Sequence, residues 1–389
     1  MKKQLLKTSY ILFFVSVVQM NNAFAQMDET AAFLNAGRET ASNLAGAYLG
    51  PVIKGFGMGL NDGWNNNTAR TLGLGGFDLR INLGIAQIPS SDQTYNLNNV
   101  FTSSVSSIKF VPDAGTSNTQ SSFFGPKNDN PGNVLVKGSI PNPLNPSQNI
   151  DTTIAKIPLP KGIGVPMTLA SPSIQLSVGL VKNTELMIRY APSINIPYVG
   201  IGVGTFGLGV KHSIKQWIPA IKETPLWDWS AFATYSNFHA EYDFGSNGLQ
   251  PDPSSINTYS PDYFNNQKLI MSGYGISIGT IASIKLLFFT PYIGINYAYS
   301  NYSLQFTGNY PVPSPNTDPT TIQQGKLSKI ASVTDPISIP GSIPNMRLNA
   351  GFRLKFALFV FGAEYSLGTY NTATMSIGVN LQSILPPSI

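Results

Sequence analysis

Strict alternation of apolar and polar residues over long segments is the feature that most constrains this chain. In Met346–Phe356 every second residue is apolar, and Phe77–Leu83, Ile174–Val178 and Met375–Gln382 repeat the pattern. Successive side chains of a β-strand point to opposite faces, so such a segment separates an apolar phase from water. The 11 residues of Met346–Phe356 match the ~9–11 that a tilted strand needs to cross a bilayer. The pattern therefore predicts an all-β fold, a transmembrane antiparallel β-barrel.

The composition supports a membrane wall over a soluble sandwich, which also alternates. Only 11% of the residues are charged, whereas soluble domains carry about 25%. Hydrophobic residues make up 42%, which is too many for a disordered chain. The chain has no cysteine, which excludes disulfides and thiolate metal sites.

The first 25 residues have the form of a secretory signal peptide. Three lysines precede the apolar run 10–18, and Ala23-Phe24-Ala25 fits a signal-peptidase site, so we expect cleavage after Ala25. The run is far shorter than the ~20 residues of a membrane-spanning helix. Cleavage of the signal peptide removes three lysines and lowers the net charge of the chain from +5 to +2. The basicity of the full sequence therefore gives no argument for a nucleic-acid partner. The predicted location is the outer membrane.

Residues 74–389 are predicted to form the barrel. Ten segments read as strands: 74–88, 170–181, 183–191, 200–216, 227–243, 267–281, 287–306, 344–356, 358–369 and 372–384. Counting back from the C-terminus puts the long connections 244–266 and 307–343 on one side, the external side of bacterial barrels. Since strand number is even, 89–169 should add two or four strands beside its external loops, which gives 12 or 14 in total, with 14 favoured.

Residues 26–73 have a different character. Asp28-Glu29-Thr30 suits a helix start and Gly50-Pro51 a helix stop, and the glycine-rich loop 55–64 follows. We favour a plug inside the barrel, since 12–14 strands enclose more space than the ~8 that side chains alone can fill. A periplasmic or partner-binding helix is the alternative. The plug-loop candidates are Phe56, Met58, Leu60, Asn61 and Trp64.

The alternation also predicts which charged side chains face the lumen. These candidates are Asp78, Arg80, Glu185, Arg189, Lys211, Arg347, Arg353, Lys355 and Glu364. In one interpretation they pair with one another or with the plug. In the other they contact an anion or a carboxylate along a permeation path, to which the planar guanidinium of arginine is suited.

Two catalytic motifs occur without the context that their chemistry requires. Gly202–Gly207 matches G-x-G-x-x-G but continues as a β-strand, and Gly275–Gly279 matches G-x-S-x-G with Ser277 in mid-strand. His212 and His239 lack metal-ligand spacing. We therefore expect no enzyme activity, no metal and no cofactor, and keep a hydrolase acting through Ser277 as a minor alternative.

Residues 50–64, 179–192 and 209–219 resemble an uncharacterised domain family of Bacteroidota outer-membrane proteins. The likeness runs from about residue 27 to the C-terminus, and it implies a location but no activity. More distantly, a helical plug ahead of some 14 strands is similar to the FadL-type transporters of hydrophobic compounds. That likeness is one of architecture.

The expected function is a plugged channel for passive uptake of small hydrophobic or amphipathic molecules. The alternative is a structural or docking barrel whose external loops bind a surface or secretion partner. In either case the expected partners include outer-membrane lipid. A hydrophobic small-molecule ligand belongs to the first hypothesis, and a monomer is favoured.

Overall fold

A closed barrel is the main element of the computed structural model, which describes residues 38–101, 108–128, 130–169, 173–195 and 201–382. Within them ten antiparallel strands pair in chain order, and the last strand pairs with the first. The strands are β1 (Phe77–Gln87), β2 (Ser173–Leu180), β3 (Thr184–Asn195), β4 (Ile201–Ser213), β5 (Trp227–Asp243), β6 (Lys268–Ile284), β7 (Phe289–Thr307), β8 (Ile337–Phe356), β9 (Phe359–Leu367) and β10 (Thr372–Leu381). The predicted antiparallel barrel is confirmed.

The alternation in sequence is an alternation between the two faces of the wall. In β1 the side chains of Asp78 and Arg80 are buried inside the barrel, whereas Leu79 and Ile81 are 42% and 60% exposed outside it. The pleat of the strand produces this arrangement. The barrel therefore has an apolar outer surface and a polar interior.

The strand number is ten, so the predicted 12 or 14 strands are wrong. Among the described residues of 89–169, only Met167–Leu169 joins the barrel, by pairing with the end of β1 ahead of β2. Ile108–Pro112, Asn133–Asn142 and Asn145–Pro158 form a separate three-stranded sheet. The strand Asn133–Asn142 alternates between buried and half-buried residues because one of its faces covers a core. Alternation therefore did not distinguish this sheet from the barrel wall.

The connections at the two ends of the barrel differ in length. At one end, called the long-loop end, lie 88–172, 244–267 and 308–336. At the other, the short-turn end, β2–β3, β6–β7 and β8–β9 are joined by turns of a few residues, and only 214–226 is longer, with a short helix at Pro219–Lys222. The two predicted external loops 244–266 and 307–343 share the long-loop end, although Ile337 to Ile343 already belong to β8.

A folded layer, which we call the cap, covers the long-loop end and comprises the described residues of 88–169 together with 244–267 and 308–336. Besides the three-stranded sheet, it contains the pairs Thr94–Asn96 with Thr119–Ser121 and Asn309–Pro315 with Ser328–Thr334. Short helices lie at Leu97–Val100 and Pro319–Gln323. One continuous hydrophobic cluster joins the cap to the interior of the barrel.

The N-terminal segment forms a helix, α1 (Arg38–Gly59), that contacts β6, β7 and β8. The predicted stop at Gly50-Pro51 is wrong, because the helix continues through Pro51, and the first part of the predicted loop 55–64 is helical. The helix lies inside the lumen of the barrel and approaches the wall closely. A β-carbon added at Gly57 would lie 3.3 Å from the Cβ of Ser300. Packing in the lumen therefore outweighs the low helix propensity of proline and glycine. The predicted helix start at residues 28–30 lies outside the described residues.

Candidate functional site

The plug, which we define as residues 38–72, runs through the barrel from the long-loop end to the short-turn end. Near the start of α1, Asn43 Nδ2 donates a hydrogen bond of 3.2 Å to the carbonyl of Val100 in the cap. Tyr48 donates to the carbonyl of Lys161, also in the cap, at 2.9 Å. At the opposite end, the amide of Ala69 donates to Ser283 Oγ of β6 at 3.0 Å. The chain then enters β1 and returns along the wall.

The part of the plug nearer the long-loop end, residues 38–60, is called its upper half, and the remainder, 61–72, its lower half. Apolar contacts attach the upper half to the wall. The ring of Phe56 stacks on Phe238 of β5 with 5.9 Å between ring centroids. Met58 and Leu60 are buried in the same cluster. Burial of an apolar side chain of this size contributes about 1.5–3 kcal/mol. This half therefore packs like an ordinary protein core.

The lower half is held by polar contacts, beginning where α1 ends. Arg347 of β8 donates to the carbonyl of Met58 at 3.1 Å and forms an ion pair with Asp62. Asn61 Nδ2 donates to Ser300 Oγ of β7 at 2.9 Å. Two adjacent strands of the wall thus bind the residues that follow the helix.

Glu185 of β3 is the main acceptor for the polar part of the plug. One of its oxygens lies 3.2 Å from Lys211 Nζ of β4, and both side chains are fully buried. The same oxygen accepts a hydrogen bond of 3.2 Å from the amide of Leu72, and the other oxygen accepts from Asn66 Nδ2. One carboxylate therefore joins two strands of the wall to two positions of the plug.

Asp78 of β1 is the centre of a second buried charge cluster. Arg80 binds its two oxygens with two nitrogens, at 2.6 and 2.8 Å. Arg353 of β8 lies 3.2 Å from the same carboxylate and also donates to the carbonyl of Asn66 at 3.4 Å. Arg80 reaches the plug as well, through Asn67 Oδ1 at 2.9 Å.

The remaining predicted lumen residues also lie on the inner face. The guanidinium of Arg189 lies 4.1 Å from the ring centroid of Trp64, a cation–π contact with the plug. Lys355 donates to Asn380 at 2.6 Å, and Glu364 accepts from Tyr292 at 2.7 Å. The charged groups on the inner face thus contact the plug, one another or polar side chains of the wall.

Glycines of the wall make room for plug side chains. A β-carbon at Gly207 would lie 2.8 Å from the indole of Trp64, and one at Gly209 would lie 3.2 Å from it. A β-carbon at Gly275 would lie 2.9 Å from Asn61 Oδ1. The last glycine of the G-x-G-x-x-G match therefore accommodates Trp64, a packing role that requires no nucleotide.

The sequence interpretation missed Asp62, Asn66 and Asn67, which carry much of the contact with the wall. Asn66 and Asn67 have φ angles of 51° and 54°, in the left-handed region that asparagine tolerates better than most residues. The run Asn65-Asn66-Asn67 was the available signal for such a turn.

The other groups considered for chemistry are separated. Ser277 is buried on the inner face, where its hydroxyl accepts from Asn296 Nδ2 at 2.7 Å. His212 contacts Thr184 and Gln216 near the short-turn end, and His239 lies on the outer face 3.9 Å from Glu241. These placements do not bring a base to Ser277.

Ion pairs also lie at the long-loop end of the barrel. Lys156, 2.7 Å from Asp113, lowers the pKa of that carboxyl by hydrogen bonding. Lys268 and Glu241 form a second ion pair, at 2.6 Å. These pairs are solvent-accessible, in contrast to those inside the barrel.

The described residues contain no group of three or more histidine, cysteine, aspartate or glutamate side chains placed to hold a metal ion. No helix among them is both long enough and apolar enough to cross a membrane.

Comparisons with known proteins give a family and a set of similar solved structures. The profile of a family of unknown function (DUF6588) matches residues 1–381, and no curated protein matches. Ail, the attachment invasion locus protein of Yersinia pestis, aligns at 8% identity over 79% of this chain and 97% of its own, with a TM-score of 0.23. The translocator domain of the autotransporter NalP from Neisseria meningitidis aligns at 10% identity over 86% and 94%, with a TM-score of 0.25. The outer membrane protease OmpT from Escherichia coli aligns at 10% over 78% and 93%, with a TM-score of 0.21.

TM-scores this low leave the description of the barrel to rest on its strand pairings. The profile match confirms the resemblance to an uncharacterised family. The Bacteroidota origin and the FadL-type likeness stay predictions, and the 14 strands implied by the latter are replaced by ten.

Proposed function

We propose that this protein, which belongs to the family of unknown function DUF6588, is a closed outer-membrane barrel that carries a docking surface outside the cell. The single observation that supports closure is the buried network between plug and wall, with Glu185 bound to Lys211, Asn66 and Leu72. Removing one member of a buried ion pair costs about 3–5 kcal/mol. Displacing the plug would take Asp62 away from the buried Arg347 and would remove the hydrogen bonds that Asn66 and Leu72 donate to Glu185, so the closed state is strongly favoured.

The outer surface supports a location in a bilayer. Exposed apolar side chains cover the wall, and the indoles of Trp227 and Trp229 mark its short-turn end. Monomeric soluble proteins rarely expose apolar patches larger than a few hundred Å². Aromatic residues at the edge of an apolar band of about 25 Å are typical of outer-membrane barrels.

The long-loop end supports the docking role. External loops of such barrels are long and periplasmic turns are short, which supports a position of the cap outside the cell. The cap is a folded layer with its own sheets, and it shares a hydrophobic cluster with the plug. A rigid platform of this kind suits recognition of a surface or secretion partner.

Site-specific labelling in intact cells tests this orientation. The chain has no cysteine, so single cysteines at Gln324 in the cap and at Glu223 in the 214–226 connection provide unambiguous reporters. A membrane-impermeant maleimide should label Gln324→Cys in intact cells and Glu223→Cys only after lysis. Labelling of Glu223→Cys alone in intact cells would contradict the orientation.

A plugged channel for passive uptake of small hydrophobic molecules is the second candidate. The observation in its favour is the apolar lumen near the long-loop end, where Phe238 and Tyr302 of the wall would meet a hydrophobic solute if the plug moved. Cells that lack the gene should then lose uptake of fatty acids or aromatic hydrocarbons, and plasmid-borne expression should restore it. Unchanged uptake would remove this candidate.

A further inference from the structure

The outer wall carries a row of aromatic and amide side chains at a single level. Strand register places Tyr190, Phe206, Asn237, Tyr274 and Asn301 next to one another across five adjacent strands, β3 to β7. These side chains point outward, and Tyr190, Phe206 and Tyr274 are 53%, 41% and 36% exposed. The row is therefore part of the outer surface and not of the lumen.

The next row of outward-facing residues towards the long-loop end consists mainly of small or polar side chains. It consists of Gly204, His239, Ser272 and Ser303, again adjacent through strand register. Gly204 leaves the outer face of the wall without a side chain at one point of this row. The result is a groove of about 560 Å³, lined by both rows and by Tyr235. Small-molecule sites commonly have volumes of about 300–1,000 Å³.

The groove lies at the level where lipid headgroups are expected. Ten residues of β5 separate Trp227, at the short-turn edge of the apolar surface, from Asn237 in the aromatic row. At about 3.4 Å per residue and a tilt of about 40°, this is about 25 Å of height. That height equals the apolar band of an outer-membrane barrel. The groove therefore begins where the hydrocarbon ends.

The chemistry of the groove favours an uncharged polar headgroup. The rings of Tyr235 and Tyr274 stack with 6.2 Å between centroids and present flat apolar faces. The amides of Asn237 and Asn301 and the hydroxyl of Ser272 can each donate and accept hydrogen bonds. None of the described lining residues is a lysine, an arginine, an aspartate or a glutamate. Glu241 and Lys268, which lie further towards the long-loop end, are already joined at 2.6 Å.

From this arrangement we infer that the groove binds the sugar headgroup of a membrane glycolipid. Sugar hydroxyls match the amides and the hydroxyls, and the C–H face of a sugar ring packs on tyrosine. The acyl chains would continue over the apolar row below, which includes Leu208 and Ile276. A phosphate headgroup is typically bound by lysine or arginine, and none of the described lining residues is either. The inference rests on the proposed membrane location of the barrel.

The test uses the full chain in phosphatidylcholine nanodiscs that contain a small fraction of diglucosyl diacylglycerol. Native mass spectrometry measures glycolipid retained per protein. We expect enrichment over phosphatidylcholine, and an approximately tenfold weaker enrichment in Asn237→Leu/Tyr274→Ala. The control is Tyr365→Ala, which removes another exposed tyrosine of the wall and should leave enrichment unchanged.

Three results would overturn the inference. Equal enrichment of phosphatidylglycerol would show that sugar is not recognised, and equal binding of free maltose would show that the ligand is a soluble glycan. Unchanged enrichment in the double variant would place the lipid elsewhere on the wall. These results leave the barrel in its membrane, whereas a chain that fails to insert into nanodiscs would refute the proposed location together with this inference.

Discussion

Neutralising Glu185 should release the plug and destabilise the barrel far more than neutralising a surface glutamate. In Glu185→Gln the buried ammonium of Lys211 loses the carboxylate 3.2 Å away. The carboxylate oxygens that accept from Asn66 and from the amide of Leu72 are changed as well. The substitution preserves side-chain volume, so it creates no cavity.

The expected loss of unfolding free energy in Glu185→Gln follows from the burial of the pair. An uncompensated charge in a fully buried pair costs about 3–5 kcal/mol of unfolding free energy. Glu241 and Lys268 have the same chemistry at 2.6 Å, but both side chains are more than a third exposed. Exposed pairs contribute at most about 1 kcal/mol. Glu241→Gln is therefore the matched control.

Urea unfolding in detergent, followed by tryptophan fluorescence, measures both changes. With a slope of about 2–3 kcal/mol per molar urea, Glu185→Gln should lower the midpoint by about 1 M or more. Glu241→Gln should shift it much less. Trp64 is buried against Arg189, so its emission should move to longer wavelength if the plug leaves the lumen.

A double-mutant cycle isolates the pair itself. Lys211→Met removes the other partner, and in Glu185→Gln/Lys211→Met no charge of this pair remains buried. We expect the double variant to lose at least about 2 kcal/mol less than the sum of the two single losses. Additivity within about 0.5 kcal/mol, or equal losses in Glu185→Gln and Glu241→Gln, would refute the reasoning.

Two further predictions concern the glycine contacts and pH. Gly207→Val should cost about 1–3 kcal/mol because its β-carbon would lie 2.8 Å from Trp64, whereas Gly50→Ala, with no atom within 4 Å, should cost nothing in the same urea assay. The contribution of Asp113 in the cap, whose pKa is lowered by its hydrogen bond with Lys156, is present above the unfolded aspartate pKa and lost as pH falls through the lower folded value. The midpoint difference between wild type and Asp113→Asn should therefore shrink as pH falls below about 3.9, and a difference that grows on acidification would contradict this assignment.

The barrel could be predicted from sequence because each wall residue faces either the apolar outside or the polar inside. That rule also identified Asp78, Arg80 and Arg353 as inward residues, and the structure places all three on the inner face. The same rule failed in the cap, where Asn133–Asn142 alternates over a core of its own. The two-residue period of the alternation does not reveal whether the apolar face of a strand contacts lipid or covers a protein core.

The partners inside the lumen could not be predicted because they are distant in sequence. Asn66 and Glu185 are 119 residues apart, and Arg347 and Met58 are 289 apart. The length of α1 was misjudged for a related reason, since Pro51 and Gly57 are poor helix formers and tertiary packing keeps them helical. Local propensity contains no information about a surrounding wall.

Ion conductance across a planar lipid bilayer tests the central claim that the plug closes the barrel. The full chain should insert, as verified by co-flotation with vesicles, without producing conductance steps. A variant in which a Gly/Ser linker of equal length replaces the whole plug, residues 38–72, should insert equally well and conduct in discrete steps. Stable steps of the same size from the full chain would contradict the closed barrel.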